Sequence, residues 1–209
     1  MANNEIEQSF IADTKDHIMT ILSDDGGVNR RIMFSNNGSS VYQYTIHTWT
    51  GHLMVTGDMG TYVFKRIDDM FDFFDTQSSN YKINTGYWAE KLIAINSNCG
   101  QDASIKKYIP ALFETMIKEC FDDWVEGYDV SNEDKTKAWK SVQEDVLCHA
   151  EDEYTACMEA YNFSYKGLNF YDESFDSCKE YTYHYVWILY AIVDGINQYI
   201  EGTHANTSK

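Results

Sequence analysis

Two short strand-like segments on either side of a glycine turn constrain the fold of this chain most strongly. The segments are His52–Thr56 and Thr61–Lys65, and the turn between them is Gly57-Asp58-Met59-Gly60. A tight hairpin needs backbone with positive φ, which glycine adopts without a steric penalty, and a turn aspartate hydrogen-bonds its own backbone. The stretch therefore predicts an antiparallel β-hairpin in the first third of the chain.

Two further strands are predicted before the hairpin. They are Arg30–Ser35 and Val41–Trp49, and in the second of them large apolar residues alternate with polar ones, as in a strand with one buried face. With the hairpin they predict a four-stranded antiparallel meander. Asn4–Leu22 has apolar residues at helical spacing and is followed by the Asp24–Gly27 turn, so it is predicted to be a helix.

Helical periodicity dominates the rest of the chain. Apolar residues recur every three or four positions from Ile109 to Val125, which predicts an amphipathic helix. Ser131 and Asp134 resemble a capping box, so the next helix is expected to start near Asn132. Its predicted inner side consists of Trp139, Val142, Val146, Tyr154, Cys157 and Tyr161. The predicted helices after the hairpin are Asp69–Asp75, Thr85–Ile95, Ile109–Gly127, Asn132–Tyr161 and Phe175–Glu201.

These elements predict an α+β fold, in which a four-stranded antiparallel meander packs against helices and a mainly helical, acidic C-terminal half follows. No linker-like composition interrupts the chain, so residues 1–209 are predicted to form a single domain. Its expected parts are a helix and meander part at 1–107, a helical acidic part at 108–202 and a flexible tail at 203–209.

The composition is typical of a soluble cytoplasmic protein. The N-terminus is polar and acidic, unlike a secretory leader. The longest apolar run, Val186–Val193, is far shorter than the roughly 20 residues that cross a bilayer. Five cysteines, an odd number without paired spacing, indicate reduced thiols. We expect a protein of the host-cell cytoplasm with no membrane association and no cofactor.

The acidic charge is concentrated in the C-terminal half. The whole sequence carries 33 acidic and 16 basic residues, a formal net charge of −17. Phe113–Glu180 contains 18 acidic and 6 basic residues, whereas Gly51–Leu112 contains 7 and 6. Contacts from Lys and Arg to phosphates supply most of the affinity of nucleic-acid-binding proteins. We therefore expect no direct binding of nucleic acid.

Rows of carboxylates on the predicted helices form the candidate binding surface. Acids spaced i, i+3, i+4 and i+7 lie about 5–6 Å apart on one helix face, comparable to phosphates along a nucleic-acid strand. Such a surface fits a basic, nucleic-acid-binding groove on another protein. Charge that only maintains solubility is the alternative interpretation. The candidate residues are Glu119, Asp122, Asp123, Glu126, Glu144, Asp145, Glu151, Asp152, Glu153 and Glu159.

An enzymatic alternative rests on His47, His52 and Asp58. The two histidines are on neighbouring predicted strands and the aspartate is in the hairpin turn, so together they form a candidate for a metal or acid–base site. Zinc sites usually need three or four ligands. Solvent-facing histidines and a turn aspartate are the simpler interpretation. Cys148, His149 and Cys157 lack the CxxC spacing of metal sites.

One stretch resembles a known group of sequences. The pattern is Trp49-x-Gly-His-Leu-x-Val-x-Gly-Asp-Met-Gly-x-Tyr-x-Phe-x-Arg-x-x-Asp-Met-Phe, accompanied by the Trp187–Ile196 segment near the C-terminus. Both are similar to uncharacterised phage and prophage proteins of enterobacterial type, over about a third of the chain. The resemblance implies a protein of a mobile genetic element and supplies no catalytic residues. Small acidic phage proteins of the anti-CRISPR and DNA-mimicking anti-restriction kinds often disarm host nucleases.

The leading hypothesis from the sequence is a non-enzymatic phage inhibitor of a host defence nuclease or nucleic-acid-binding complex. A CRISPR effector is the preferred partner and a restriction enzyme is the next. The alternatives are a hydrolase or metal-dependent enzyme using His47, His52 and Asp58, and a phage structural or regulatory interaction protein. The sequence is also compatible with a homodimer.

Overall fold

The computed structural model describes residues 3–75, 83–96 and 104–207 and has an α+β fold. The α-helices of the described residues are α1 (Asn3–Thr14), α2 (Met70–Phe74), α3 (Thr85–Ala89), α4 (Pro110–Gly127), α5 (Asn132–Asp145), α6 (Glu153–Asn162) and α7 (Tyr183–Thr207). The strands are β1 (Ile18–Asp24), β2 (Arg30–Ser35), β3 (Tyr44–Trp49), β4 (His52–Gly57), β5 (Gly60–Lys65), β6 (Leu92–Asn96), β7 (Lys106–Tyr108), β8 (Ser164–Tyr165), β9 (Leu168–Asn169) and β10 (Lys179–Tyr181). Short 3₁₀ turns occupy Leu147–His149 and Phe175–Cys178.

The main sheet has six antiparallel strands in the order β1 to β6. The four strands expected from the sequence are its central members, β2 to β5, and β2 has the predicted bounds. The predicted count of four is too low, because β1 and β6 flank them. The hairpin between β4 and β5 is confirmed, with Gly57 opposite Gly60 and a φ of 103° at Gly60.

Both added strands come from segments that the sequence analysis assigned to helices. The predicted helix Asn4–Leu22 is wrong in its second part, because α1 ends at Thr14 and β1 begins at Ile18. The predicted helix Thr85–Ile95 ends at Ala89, after which the chain forms β6. Both strands are rich in isoleucine, and a β-branched side chain favours an extended backbone when a partner strand is within reach.

The last helix both starts and ends later than predicted. Residues 175–181 form a 3₁₀ turn and a strand, and α7 then extends to Thr207. The predicted flexible tail, residues 203–209, overlaps the end of α7 as far as Thr207, and its flexibility stays a prediction. Residues 208 and 209 lie outside the described part. Trp187 and Ile192 of α7 are fully buried. No helix in the described segments combines the length and apolarity that a membrane span requires.

The chain divides into two compact units. Unit 1 consists of Met1–Ile105 and Tyr181–Lys209, and unit 2 of Lys106–Glu180. The last helix is predicted to belong to the acidic half, but it lies in unit 1. The core of unit 1 lies between the main sheet and α7, where Gly195 would bring an added Cβ within 2.7 Å of Ile46 Cδ1. The prediction of a single domain stays a prediction.

Unit 2 contains the acidic helices and has a core of its own. Four aromatic or aliphatic residues of α4 are buried in it, together with small residues of α5 and α6. The predicted continuous helix Asn132–Tyr161 is wrong, because α5 ends at Asp145 and α6 begins only at Glu153. Asp152 starts α6 by accepting a hydrogen bond from the Thr155 backbone N–H at 2.8 Å, as an N-cap residue does.

Candidate functional site

The first group of predicted carboxylates lies on α4. Glu119, Asp123 and Glu126 are exposed, while Asp122 is partly buried and forms an ion pair with Lys118 one turn earlier. Their i, i+4 and i+7 spacing places Glu119, Asp123 and Glu126 on neighbouring turns of the same helix face. The opposite face of α4 is buried in the core of unit 2. This row therefore has the arrangement that the sequence predicted.

A second group lines a polar groove of about 400 Å³ between α5 and α6. Glu144, Asp145 and Glu159 contribute to its walls, with His149 beside them. Lys140 Nζ lies 3.6 Å from Glu144 Oε1, and the Ser141 hydroxyl donates a 3.0 Å hydrogen bond to the Asp145 carboxylate. The break between α5 and α6 thus brings together carboxylates that a continuous helix would have kept apart.

The third group surrounds the start of α6. Glu151 and Asp152 are exposed, and Glu153 forms a 2.7 Å ion pair with Lys179. Hydrogen bonds from the hydroxyl and backbone N–H of Thr155 lower the pKa of Asp152. One continuous helix would place these acids in line with those of α5. They do not continue that row, because α6 begins anew at this point.

The carboxylates of unit 2 exceed its basic side chains by a wide margin. Residues 106–180 contain 18 acidic and 8 basic residues, a net charge of −10. Among the described residues, three of the ten predicted binding carboxylates are paired with a lysine. The other seven have no lysine or arginine partner within the described residues. The surface of unit 2 is consequently anionic.

A groove with tyrosine walls adjoins the third group and was missed by the sequence analysis. Its volume is about 690 Å³, and its lining is Asp152, Glu153, Tyr154, Cys157, Met158, Tyr161, Tyr171, Glu173 and Phe175. Tyr154 and Tyr161 were predicted to face inward, but they are 76% and 59% exposed. The buried side of α6 is formed instead by Ala156 and Ala160, both fully buried. The aspartate N-cap, followed by two alanines at i, i+4 spacing, is the sequence signal for this orientation.

The residues of the enzymatic alternative have separate structural roles. The His52 ring stacks on Trp49, with ring centroids 5.0 Å apart and planes 9° apart. His47 lies on β3 opposite Met54, and burial followed by the charge of Arg31 lowers its pKa. Asp58 accepts a 2.8 Å hydrogen bond from the Tyr42 backbone N–H. Within the described segments, no three His, Cys, Asp or Glu residues are grouped so that they could hold a metal ion.

Two thiols of unit 2, Cys120 and Cys157, are poor nucleophiles. Burial, reinforced by the charge of Glu173, raises the pKa of Cys120 to about 11. Burial and then the charge of Glu153 raise the pKa of Cys157 as well. Since the thiolate is the reactive form of cysteine, neither residue is suited to covalent catalysis at neutral pH. Cys99 lies outside the described residues.

Alkylation is expected to distinguish these thiols. At pH 8, iodoacetamide should label the exposed Cys148 at least about tenfold faster than Cys120, because the high pKa of Cys120 leaves little thiolate. Peptide mapping by mass spectrometry measures each site separately. Raising the pH to 10 should increase the rate at Cys120 steeply, and a rate at pH 8 equal to that of Cys148 would contradict the assignment.

Comparisons of this chain with protein-family models, with curated proteins and with solved structures found no match.

Proposed function

We propose that this protein is a phage-derived inhibitor that binds a basic, nucleic-acid-binding groove of a host defence complex through the carboxylates of unit 2. The observation that carries the proposal is the imbalance of charge on that unit. Seven of its ten predicted binding carboxylates have no basic partner in the described part of the chain, and the row on α4 is exposed along one helix face.

The arrangement of the charges supports mimicry of a nucleic acid more than solubility alone. Solubility requires only net charge, and basic and acidic residues interspersed on the surface serve it equally well. On α4, by contrast, Glu119, Asp123 and Glu126 follow one another at the spacing of successive helical turns. A cationic groove that binds phosphates would experience a similar series of negative charges.

The preferred target is a CRISPR effector, followed by a restriction enzyme. Both hold nucleic acid in positively charged channels, so an anionic protein surface competes for the same site. Opposite charges on the two partners would accelerate their encounter, and added salt would weaken it. The resemblance to phage and prophage sequences supplies the biological setting for such a competition.

Phage plaquing tests the proposal directly. In cells that carry a CRISPR or restriction system against the infecting phage, expression of the protein should raise the plaquing efficiency by about 100-fold or more. With the variant Glu119→Lys, Asp123→Lys and Glu126→Lys, the gain in plaquing efficiency should be at least about tenfold smaller than with the wild type. A tenfold loss of binding affinity corresponds to about 1.4 kcal/mol. Reversing three charges at an interface is expected to cost at least this much.

The matched control reverses three exposed acids of unit 1, Glu5→Lys, Asp16→Lys and Asp68→Lys. Its net charge equals that of the α4 variant, so solubility and total charge are held constant. Retained inhibition in the control and loss in the α4 variant support the proposal. Equal inhibition by both variants, or loss only on changing His47 and His52 to alanine, would overturn it, and the second result would favour the enzymatic alternative.

A further inference from the structure

Three tyrosines of unit 2, in the groove with tyrosine walls, expose more of their aromatic rings to solvent than is favourable for an apolar surface. Tyr154, Tyr161 and Tyr171 are 76%, 59% and 54% exposed, and Met158 between the first two is 42% exposed. On α6 the first two tyrosines and the methionine follow the spacing i, i+4, i+7, which places them on one face. Clustered exposed tyrosine and methionine are enriched where proteins bind partners.

The groove combines these aromatic faces with negative charge. Asp152, Glu153 and Glu173 contribute to its walls. Glu153 is paired with Lys179, but Asp152 has a lowered pKa, caused by its hydrogen bonds from Thr155, and is ionised at neutral pH. An anionic ligand is repelled by these carboxylates, and a purely apolar one would desolvate them without compensation. A cation interacts favourably with both the aromatic rings and the carboxylates that line the groove.

Arginine fits this combination better than lysine. Its planar guanidinium stacks on an aromatic face while its N–H groups bind a carboxylate in a fork geometry. The ammonium of lysine is compact and strongly hydrated, so it gains less from aromatic walls. The groove volume of about 690 Å³ lies within the roughly 300–1,000 Å³ of ligand sites and has room for residues that flank the arginine.

We propose that the groove formed by Tyr154, Met158, Tyr161, Tyr171, Asp152 and Glu173 binds an arginine side chain in a cationic segment of the partner protein. The inference rests on the proposed function, because it supplies the anchoring contact for a basic partner that the acidic surface attracts. The aromatic walls provide the short-range selectivity, and the carboxylates of the rest of unit 2 provide long-range attraction. An arginine in the nucleic-acid-binding groove of the target is the occupant.

A peptide titration tests the groove without the target. The probes are acetyl-Gly-Gly-Arg-Gly-Gly-amide and its analogues with citrulline or lysine in place of arginine, titrated into ¹⁵N-labelled protein and followed by NMR. The arginine peptide should bind at least tenfold more tightly than the citrulline peptide, which has the same shape without the charge. It should also bind at least threefold more tightly than the lysine peptide. Equal affinity for arginine and citrulline would overturn the proposal and indicate an apolar occupant.

Matched variants locate the binding. Tyr154→Ala combined with Tyr171→Ala should weaken binding of the arginine peptide at least tenfold. The corresponding phenylalanine changes should weaken its binding less than threefold, because the face of each ring is kept. Tyr128→Ala is the control, since Tyr128 is 62% exposed in the same unit but does not line the groove. All of these side chains are exposed, and thermal unfolding verifies that each variant is folded. Loss of binding in the Tyr128 variant alone would overturn the assignment.

The outcomes separate this inference from the proposed function. Arginine-selective binding without any gain in plaquing would support the groove and overturn the inhibitor proposal. A gain in plaquing that the tyrosine variant retains in full, with no arginine selectivity in the titration, would overturn the groove alone. Sedimentation of the protein without peptide completes the test, because self-association that the tyrosine variant abolishes would place a second copy, not a foreign partner, in the groove.

Discussion

Replacing Gly57 by alanine should destabilise unit 1 by about 3–5 kcal/mol, among the largest effects expected of a single methyl group. An added Cβ would lie 2.0 Å from the Gln43 carbonyl oxygen and 2.8 Å from Tyr44 Cα. Both are backbone atoms, of the residue before β3 and of its first residue, so no side-chain rotation relieves the clash. The hairpin or the strand beside it would have to move.

Two hydrogen bonds hold the backbone in this close approach. The Asp58 N–H donates to the Gln43 carbonyl oxygen at 2.9 Å, and the Asp58 carboxylate accepts from the Tyr42 N–H at 2.8 Å. Moving the chain away from an alanine at position 57 would stretch both of them. The cost of the substitution therefore combines overpacking with the loss of backbone hydrogen bonds.

Urea unfolding followed by circular dichroism measures this effect. Gly86→Ala is the matched control in the same unit, because the nearest atom to its added Cβ is 3.7 Å away and the residue lies within α3. The control should be neutral or stabilising by up to about 1 kcal/mol, as glycine is unfavourable in a helix. If the Gly57 variant were as stable as the control, the backbone at Gly57 would not approach Gln43 and Tyr44 this closely.

Replacing Asp69 by alanine is expected to cost about 2–4 kcal/mol. Its carboxylate accepts two hydrogen bonds from the Arg30 guanidinium, at 2.9 and 2.8 Å, and the Arg30 side chain is only 12% exposed. The guanidinium also lies 4.5 Å from the centroid of the Phe71 ring. Removing the carboxylate leaves a mostly buried cation without its anion. The same change removes the N-cap hydrogen bond to the Phe71 N–H.

The effect of Asp69 should depend on pH in a defined direction. Burial tends to raise the pKa of this carboxyl, but the hydrogen bonds from Arg30 and from the Phe71 backbone outweigh burial and hold the pKa below its usual value. A carboxyl with a lowered pKa in the folded state stabilises the protein fully above its usual pKa of about 3.9 and less as the pH falls through the folded value. The stability difference between wild type and Asp69→Ala should therefore be constant from pH 6 to 7 and shrink below pH 4.

Thermal unfolding across this pH range gives the measurement, with two companion variants. Asp68→Ala changes the neighbouring exposed aspartate and should alter stability by less than about 0.5 kcal/mol. Asp69→Asn keeps an N-cap side chain but not the charge, so it should fall between the control and alanine. If Asp68→Ala and Asp69→Ala proved equally destabilising, the ion pair would not have the role assigned to it.

The accuracy of the sequence predictions varied with the kind of signal in each segment. The β4–β5 hairpin and α4 combine strong periodicity with a local end signal, and both were predicted to within about two residues. Ile18–Asp24 and Leu92–Asn96 are short apolar runs that satisfy helical and strand spacing alike. They become strands because β2 and β5 offer unpaired edges for hydrogen bonding, a contact that spacing within the segment does not encode.

The candidate site, too, was predicted only where spacing within one segment determines the structure. The α4 row followed from helical spacing alone, since one helix with one buried face determines where its acids lie. The grooves around α6 did not follow, because helical spacing predicts one helix through residues 146–152 with Tyr154 and Tyr161 on its inner side. Their rings have more apolar surface than the side chains of Ala156 and Ala160, although the alanines are the residues that pack.

Composition and periodicity alone determined that this chain is of the α+β class, that its acidic charge lies in residues 113–180 and that one helix displays a row of carboxylates. Tertiary structure decided the two edge strands, the break before α6 and the tyrosine groove. The physical reason is that spacing along a segment defines which residues share a face, whereas the partner that covers a face comes from distant parts of the chain. Burial, and with it the exposure of Tyr154 and Tyr161, depends on that partner.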